Sequence, residues 1–195
     1  MTESYSYKAD RFAAKAEVES LTLPLDQKGL TGITHFYGEE GDEVAWYSKN
    51  FNTKKTGGVY DNSKQKSWSI FKYGSNLAKG ASTEDAMTES YNYKVDAFSD
   101  DAAVQALAAL DNKGVTGITS FYGDKGNEVA WYSQNFTTKK SGAVYIDSVL
   151  KSWSVFVYGT DLANTADPET AMTESCSYKA DRFAAKGEVE SLTLP

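Results

Sequence analysis

The chain has 195 residues, 41% of them hydrophobic and 24% charged, which is room for one ordinary domain or two small ones with a packed core. A net charge of -7 argues against nucleic acid, which needs a Lys/Arg excess on some face, and no apolar run approaches the roughly 18 residues of a membrane span. The single Cys176 excludes an internal disulfide and cysteine-based zinc, and the single His35 leaves conventional triads and histidine metal sites almost nothing to work with.

Self-similarity is the dominant signal. MTESYSYKADRF at 1–12 returns as MTESYNYKVDAF at 87–98 and as MTESCSYKADRF at 172–183. GITHFYG at 32–38 returns as GITSFYG at 117–123, EVAWYSKNF at 43–51 as EVAWYSQNF at 128–136, and KSWSIFKYG at 66–74 as KSWSVFVYG at 151–159. Three segments follow: a first module at 1–86, a second at 87–171, and a truncated third at 172–195. Residues 172–195 differ from 1–24 only in having Cys176 for Tyr5 and Gly187 for Ala16. Met1, Met87 and Met172 share one repeat position. The chain therefore reads either as a piece of a longer repeat protein or as a whole whose overhang has a job, and its compartment is left open.

Within a copy, the elements run in a fixed order. Ser90–Phe98 alternates Tyr91, Tyr93 and Val95 and reads as a strand. Ser99 or Asp100 can cap a helix that places Val104, Leu107 and Leu110 on one face and stops at Gly114. The first copy keeps Val18, Leu21 and Leu25, but Pro24 predicts that its helix ends near Leu23. VTGITSFYG and NEVAWYSQNF predict a hairpin across GDKGN with a loop of four or five residues. TTKKSGA is a second turn region, followed by strands at Val144–Ile146 and Ser152–Tyr158. In the last strand Trp153, Val155 and Val157 share one face, with Phe156 and Tyr158 on the other, the pattern of a central strand; Trp68 and Trp153 should match as core positions. GTDLANTADPETAMTE reads as a small-residue linker into the next copy. The expected class is mainly β to α+β: tandem antiparallel modules, each with one short helix.

The turn-to-strand segments ITHFYGEEGDEV and ITSFYGDKGNEV resemble the βγ-crystallin family, and the short helix in QALAALDNKG is similar to its microbial members. The resemblance implies a Greek-key sandwich and calcium loops. Its loop pattern falls on Asn62, Ser63 and Ser67 in the first copy and on Asp147, Ser148 and Ser152 in the second, with a partial match at Asn112 and Thr116. Lys66 and Lys151 stand where the pattern has a hydroxyl ligand, and Glu40 where it has an aromatic. Few carboxylates are offered to a hard cation, so any calcium sites are expected to be weak or degenerate.

Other candidates have simpler explanations. His35 corresponds to Ser120, so a shared chemistry cannot use it, and a half-exposed strand histidine is expected. Cys176 replaces Tyr5 and Tyr91 and reads as an incidental thiol. The acids at Glu39–Glu43 and Asp124–Glu128 fall on hairpin tips, where solvated turns are the default. Trp46-Tyr47 and Trp131-Tyr132 are candidate sugar-stacking pairs; strand alternation predicts a buried Trp and a surface Tyr in each. The copies share a framework of turns and aromatics and no catalytic constellation. The expected function is a non-enzymatic structural or assembly module that self-associates through its repeats or its overhang. The alternative is a multivalent carbohydrate-binding module that takes glycans.

Overall fold

The computed structural model describes residues 2–12, 15–19, 21–22 and 26–193. The helix end expected near Leu23 and Pro24, and the core position expected at Leu25, lie outside the described residues. The first copy comprises β1 (Glu3–Tyr7), the helix α1 (Lys15–Glu19), β2 (Leu30–Tyr37), β3 (Val44–Asn52), the short β4 (Lys55–Thr56) and β5 (Val59–Tyr60), β6 (Lys64–Tyr73) and β7 (Asn76–Leu77). The second repeats this order: β8 (Glu89–Lys94), α2 (Asp101–Gln105), β9 (Val115–Tyr122), β10 (Val129–Thr137), β11 (Lys140–Ser141), β12 (Val144–Tyr145), β13 (Val149–Tyr158) and β14 (Asp161–Leu162). The third contributes β15 (Met172–Lys179) and α3 (Lys186–Glu190). The protein is mainly β, with one short helix per copy.

The helices are shorter than the sequence pattern. In the second copy Asp100 caps α2 by accepting from the amide of Ala103, and the helix closes at Ala106. Leu107 and Leu110 still pack on the core, from turns beyond the helix end. The strand expected through Phe98 stops at Lys94, where residues Val95–Ala97 form a 3-10 turn.

Eleven strands form one antiparallel sheet, ordered β1-β2-β3-β6-β8-β9-β10-β13-β14, with β15 on β13 and β7 on β6. Each long strand lies beside the next long strand of the chain. The connectivity is therefore a meander, and the Greek keys implied by the crystallin resemblance are not formed. The physical reason lies in the connections. Residues 38–43 and 123–128 are tight hairpin loops, one residue longer than GDKGN suggests, and the β4–β5 and β11–β12 ribbons fold back on themselves. Asp10 accepts from Lys55 and Tyr60, and Asp96 from Lys140 and Tyr145, so each ribbon is tied to the turn after its own copy's first strand. None of these connections crosses the sheet.

The sheet does not break where the repeat does. β6 of the first copy pairs with β8 of the second from Ser67↔Lys94 to Lys72↔Glu89, and β13 pairs with β15 from Ser152↔Lys179 to Tyr158↔Met172. The cores straddle the same seams. Trp46, Tyr47, Trp68 and Ile70 of the first copy share a cluster with Tyr93, Val104 and Val115 of the second. Tyr132, Trp153 and Val155 of the second share one with Phe183 and Val189 of the third. Trp68 and Trp153 are matching core residues, 3% and 2% exposed. The opposite face of β13 is also covered, by Tyr158 against Val129 and Ala163, so the stretch that reads as a linker packs down as β14 and the turn after it.

The helices α2 and α3 thus each seal the sheet of the copy before them. Val104 is 1% exposed, Val189 is 0% exposed, and their counterpart Val18 is 47% exposed. Burial of a valine side chain contributes about 1.5 to 3 kcal/mol, so the three positions should respond differently to one substitution. Val104→Ala and Val189→Ala are expected to lower stability by about 2 kcal/mol each, with a change below about 0.5 kcal/mol for Val18→Ala. Urea denaturation of the three variants measures this.

Candidate functional site

The aromatic pairs lie at β-bulges. His35 pairs with Tyr47 and Phe36 with Ala45, leaving Trp46 as the extra residue; Ser120 pairs with Tyr132 and Phe121 with Ala130, leaving Trp131. A bulge interrupts the alternation of faces. Adjacent rings therefore touch, at 5.5 Å between centroids for Trp46 and Tyr47 and 5.7 Å for Trp131 and Tyr132. This corrects the expectation of a buried Trp and a surface Tyr. Tyr47 and Tyr132 are buried, as is Trp46, while Trp131 is half-buried. The exposed aromatics are Tyr37 and Tyr122, 41% and 45% accessible, each set edge-on to the bulged tryptophan at 5.4 and 5.3 Å. Beside Tyr37 lies a cleft of about 550 Å³ lined by Phe36, Glu39, Trp46, Lys79 and Gln105. The FYG signature also has a backbone reason: at Gly38, φ is 129° and a Cβ would stand 2.2 Å from the carbonyl oxygen of Asp42, so only glycine fits this turn.

Polar groups gather beneath these pairs, at the seams. In the first seam the His35 ring stacks on Tyr47 with centroids 4.3 Å apart. Its Nδ1 lies 3.0 Å from a Glu3 oxygen and its Nε2 lies 3.9 Å from Asp101, yet neither nitrogen is directed for a hydrogen bond. Asp101 also contacts the Lys49 ammonium, and the Tyr47 hydroxyl accepts from Gln105 at 3.0 Å. Burial pushes the Tyr47 hydroxyl up to about 12. His35 is 4% exposed, which corrects the half-exposed reading: the sequence shows a strand position, but not the helix of the next copy folded over it.

The second seam solves the same problem with different charges. Ser120 replaces His35, and Lys186 on α3 occupies the position that Asp101 holds on α2. Lys186 contacts Glu89, which also accepts from Lys72 at 3.0 Å and from the Tyr91 hydroxyl at 3.1 Å. Burial alone would raise the Glu89 carboxyl, but the two ammonium groups outweigh it and hold the group below its ordinary value. The Tyr132 hydroxyl donates to Glu190 at 2.8 Å, and burial raises its pKa.

The loop residues with calcium-type spacing come together in pairs. Lys28 bridges Asn62, and the amide of Ser63 donates to Gln27; Lys113 bridges Asp147, and the amide of Ser148 donates to the carbonyl of Asn112. The Ser67, Ser152 and Thr116 side chains have other partners, whereas the Ser63 and Ser148 hydroxyls are buried without a hydrogen bond among the described residues. Asn50 reaches the Ser67 hydroxyl at 3.3 Å and Asn135 reaches that of Ser152 at 3.4 Å, while Thr116 donates to the carbonyl of Asn92. Among the described residues, no group of three or more His, Cys, Asp or Glu side chains is placed to hold a metal ion. No helix among them is long and apolar enough to cross a membrane. Cys176 is half-buried in β15, paired with Val155. No protein-family model, curated protein or solved structure matches the chain.

The buried imidazole has a measurable consequence. Burial lowers the His35 pKa below its ordinary 6.5 and Lys49 adds to that, against the upward pull of Glu3 and Asp101. The unfolded chain therefore takes up a proton before the folded one does. Stability should fall as pH drops below about 6.5, by at most about 1.4 kcal/mol per pH unit, and level off once the folded ring also protonates. In His35→Ser, the residue of the second copy, this part of the pH dependence should vanish. Urea midpoints between pH 7.5 and about 5 decide it.

Proposed function

We propose that the chain is a non-enzymatic structural module whose repeats weld into one continuous sheet. The observation that carries this reading is the location of the cores. Each copy leaves its aromatic floor open, and the strand and helix of the following copy close it. Such a unit is incomplete alone and complete in series, the economy of a repeat array in which stability comes from nearest-neighbour interfaces. The aromatic frame recurs in both copies, whereas the polar groups of the seams differ between them. That pattern suits a scaffold and is hard to reconcile with a shared catalytic centre.

The test is a set of chains carrying two, four and six complete copies, each ending in the strand-helix segment. Scattering should give a maximum dimension that grows with copy number. The denaturation midpoint should rise and then level as interfaces come to outnumber ends. Midpoints that ignore copy number would mean independent beads and would refute the reading.

A second reading rests on the exposed Tyr37 and Tyr122 beside their bulged tryptophans. An exposed ring over a cleft that also holds Lys79 and Gln105 can stack on the apolar face of a sugar while polar groups meet its hydroxyls. On this reading the sheet spaces weak sites built on the same aromatic pair, and binding gains by multivalency. Glycan-array binding that is lost in the Tyr37→Ala, Tyr122→Ala double variant would establish it. An array without signal for the intact chain would dismiss it.

A further inference from the structure

The two seams are keyed by opposite charges, and the key on the first helix fits the second seam. On α2 the positions are Asp101, Val104 and Gln105; Asp101 meets Lys49 and lies near His35, and Gln105 meets the Tyr47 hydroxyl. On α3 the same positions are Lys186, Val189 and Glu190; Lys186 meets Glu89, and Glu190 meets the Tyr132 hydroxyl. The keys are not interchangeable. Asp101 set over the second seam would face the carboxylate of Glu89 with Gln134 in place of Lys49, and Lys186 set over the first would meet the ammonium of Lys49 beside the carboxylate of Glu3, the counterpart of Glu89. Like charges in a half-buried seam oppose docking, so the apolar floor attracts any of the helices and the charges sort them.

The helix α1 carries Lys15, Val18 and Glu19, the key of α3. In this structure its apolar position is open. Val18 is 47% exposed, and Lys15 and Glu19 pair only loosely with each other at 3.2 Å, with side chains 88% and 62% accessible. Beside it, among the described residues, β1 pairs with β2 alone, whereas its counterpart β8 pairs on one side with β9 and on the other with β6. The outer edge of β1 and the apolar side of α1 form a complete donor surface. Its matching acceptor is the β10–β13 face with Glu89, Tyr132 and Trp153.

We propose that this donor surface docks on the β10–β13 face of a second copy of this chain, replacing that copy's own β15 and α3. The proposal rests on the array reading above and extends it between molecules. The incoming molecule need not unfold, because β8 shows that this strand can hold both neighbours at once. Only β15 and α3 of the acceptor must leave. Two differences favour the incomer: Ala16 in α1 replaces Gly187 in α3, and glycine inside a helix is disfavoured by about 1 kcal/mol; Tyr5 offers an aromatic ring where Cys176 has only a thiol. The resident segment has the advantage of tethering, which gives it a high effective concentration. Association is therefore concentration-dependent. Since donor and acceptor are unlike surfaces, it proceeds head to tail and does not close as a dimer.

Two variants of the full chain with the same charge change should move association in opposite directions. Lys15→Glu spoils the incoming key and, among the described residues, breaks only its exposed pair with Glu19, so association should weaken about tenfold. Lys186→Glu loosens the resident segment and leaves the incoming key intact, so association should strengthen. Lys186→Ser, which only deletes the contact with Glu89, keeps the sign of that change if the glutamate proves too disruptive. Sedimentation velocity across a wide concentration range reads all three, with Lys64→Glu as a remote charge control. A shift of the two glutamate variants in the same direction would overturn the proposal, as would a wild type and Lys186→Ser variant that stay monomeric throughout. Neither result bears on the copy-number series, so exchange can fail while the array reading stands.

Discussion

Everything in this fold depends on two indoles, Trp68 and Trp153, each at the centre of a seam. Each presents its ring to a phenylalanine of the next copy, Phe98 at 6.1 Å and Phe183 at 6.0 Å, both edge-on. Each also donates its N–H to a backbone carbonyl of that copy, Val95 at 2.8 Å and Ala180 at 3.3 Å. Strand pairing alone would join consecutive copies at an edge and leave the aromatic floor wet. The indole adds a large buried area with a satisfied polar handle, which fixes where the 3-10 turn sits and therefore where the helix comes down. A tryptophan is the suitable residue here because neither an aliphatic floor nor a polar one would supply both.

The residues that vary between copies follow from this arrangement. His35 and Ser120, Lys49 and Gln134, Asp101 and Lys186, and Gln105 and Glu190 are counterparts, and seven of them line the seams or touch residues that do. Apolar contact is non-directional and would accept any helix on any floor. Charged groups at half-buried positions are sensitive to sign, so they carry the information about order that the aromatic frame cannot. The His35 ring fills the space over Tyr47 in the first seam. In the second, Ser120, Glu89 and Lys186 line a pocket of about 300 Å³ beside Tyr132.

Much of the architecture is legible in the sequence because the repeat supplies its own control. The order of the strands, the central character of Ser152–Tyr158 and the matching roles of Trp68 and Trp153 follow from patterning alone. So does the need of residues 172–195 for a partner, since Phe183, Val189 and Leu192 cannot bury themselves within so short a segment. Period-2 reasoning fails at Trp46-Tyr47 because a bulge is a register event between two strands, and one strand's pattern does not record it. It fails at His35 because the cover comes from residues more than sixty positions ahead. The short helices mislead for a third reason: Leu107 and Leu110 keep helical spacing and are half-buried against the core, but the backbone delivers them from the loop after the helix.

A sheet that can be extended must also avoid extending indiscriminately. Among the described residues, the outer edges of β1 and β15 have no strand partner. β1 is only five residues long, begins at Glu3 and carries a register shift at Ser6/Tyr7, features that blunt an edge against casual pairing. Edge pairing alone is therefore a poor route to growth. It becomes favourable only when the helix side of the same unit finds an aromatic floor and the correct charges at once. That conjunction makes the strand and helix a single recognition element: the strand supplies register, the helix supplies burial, and the charged positions on the helix decide which floor is accepted.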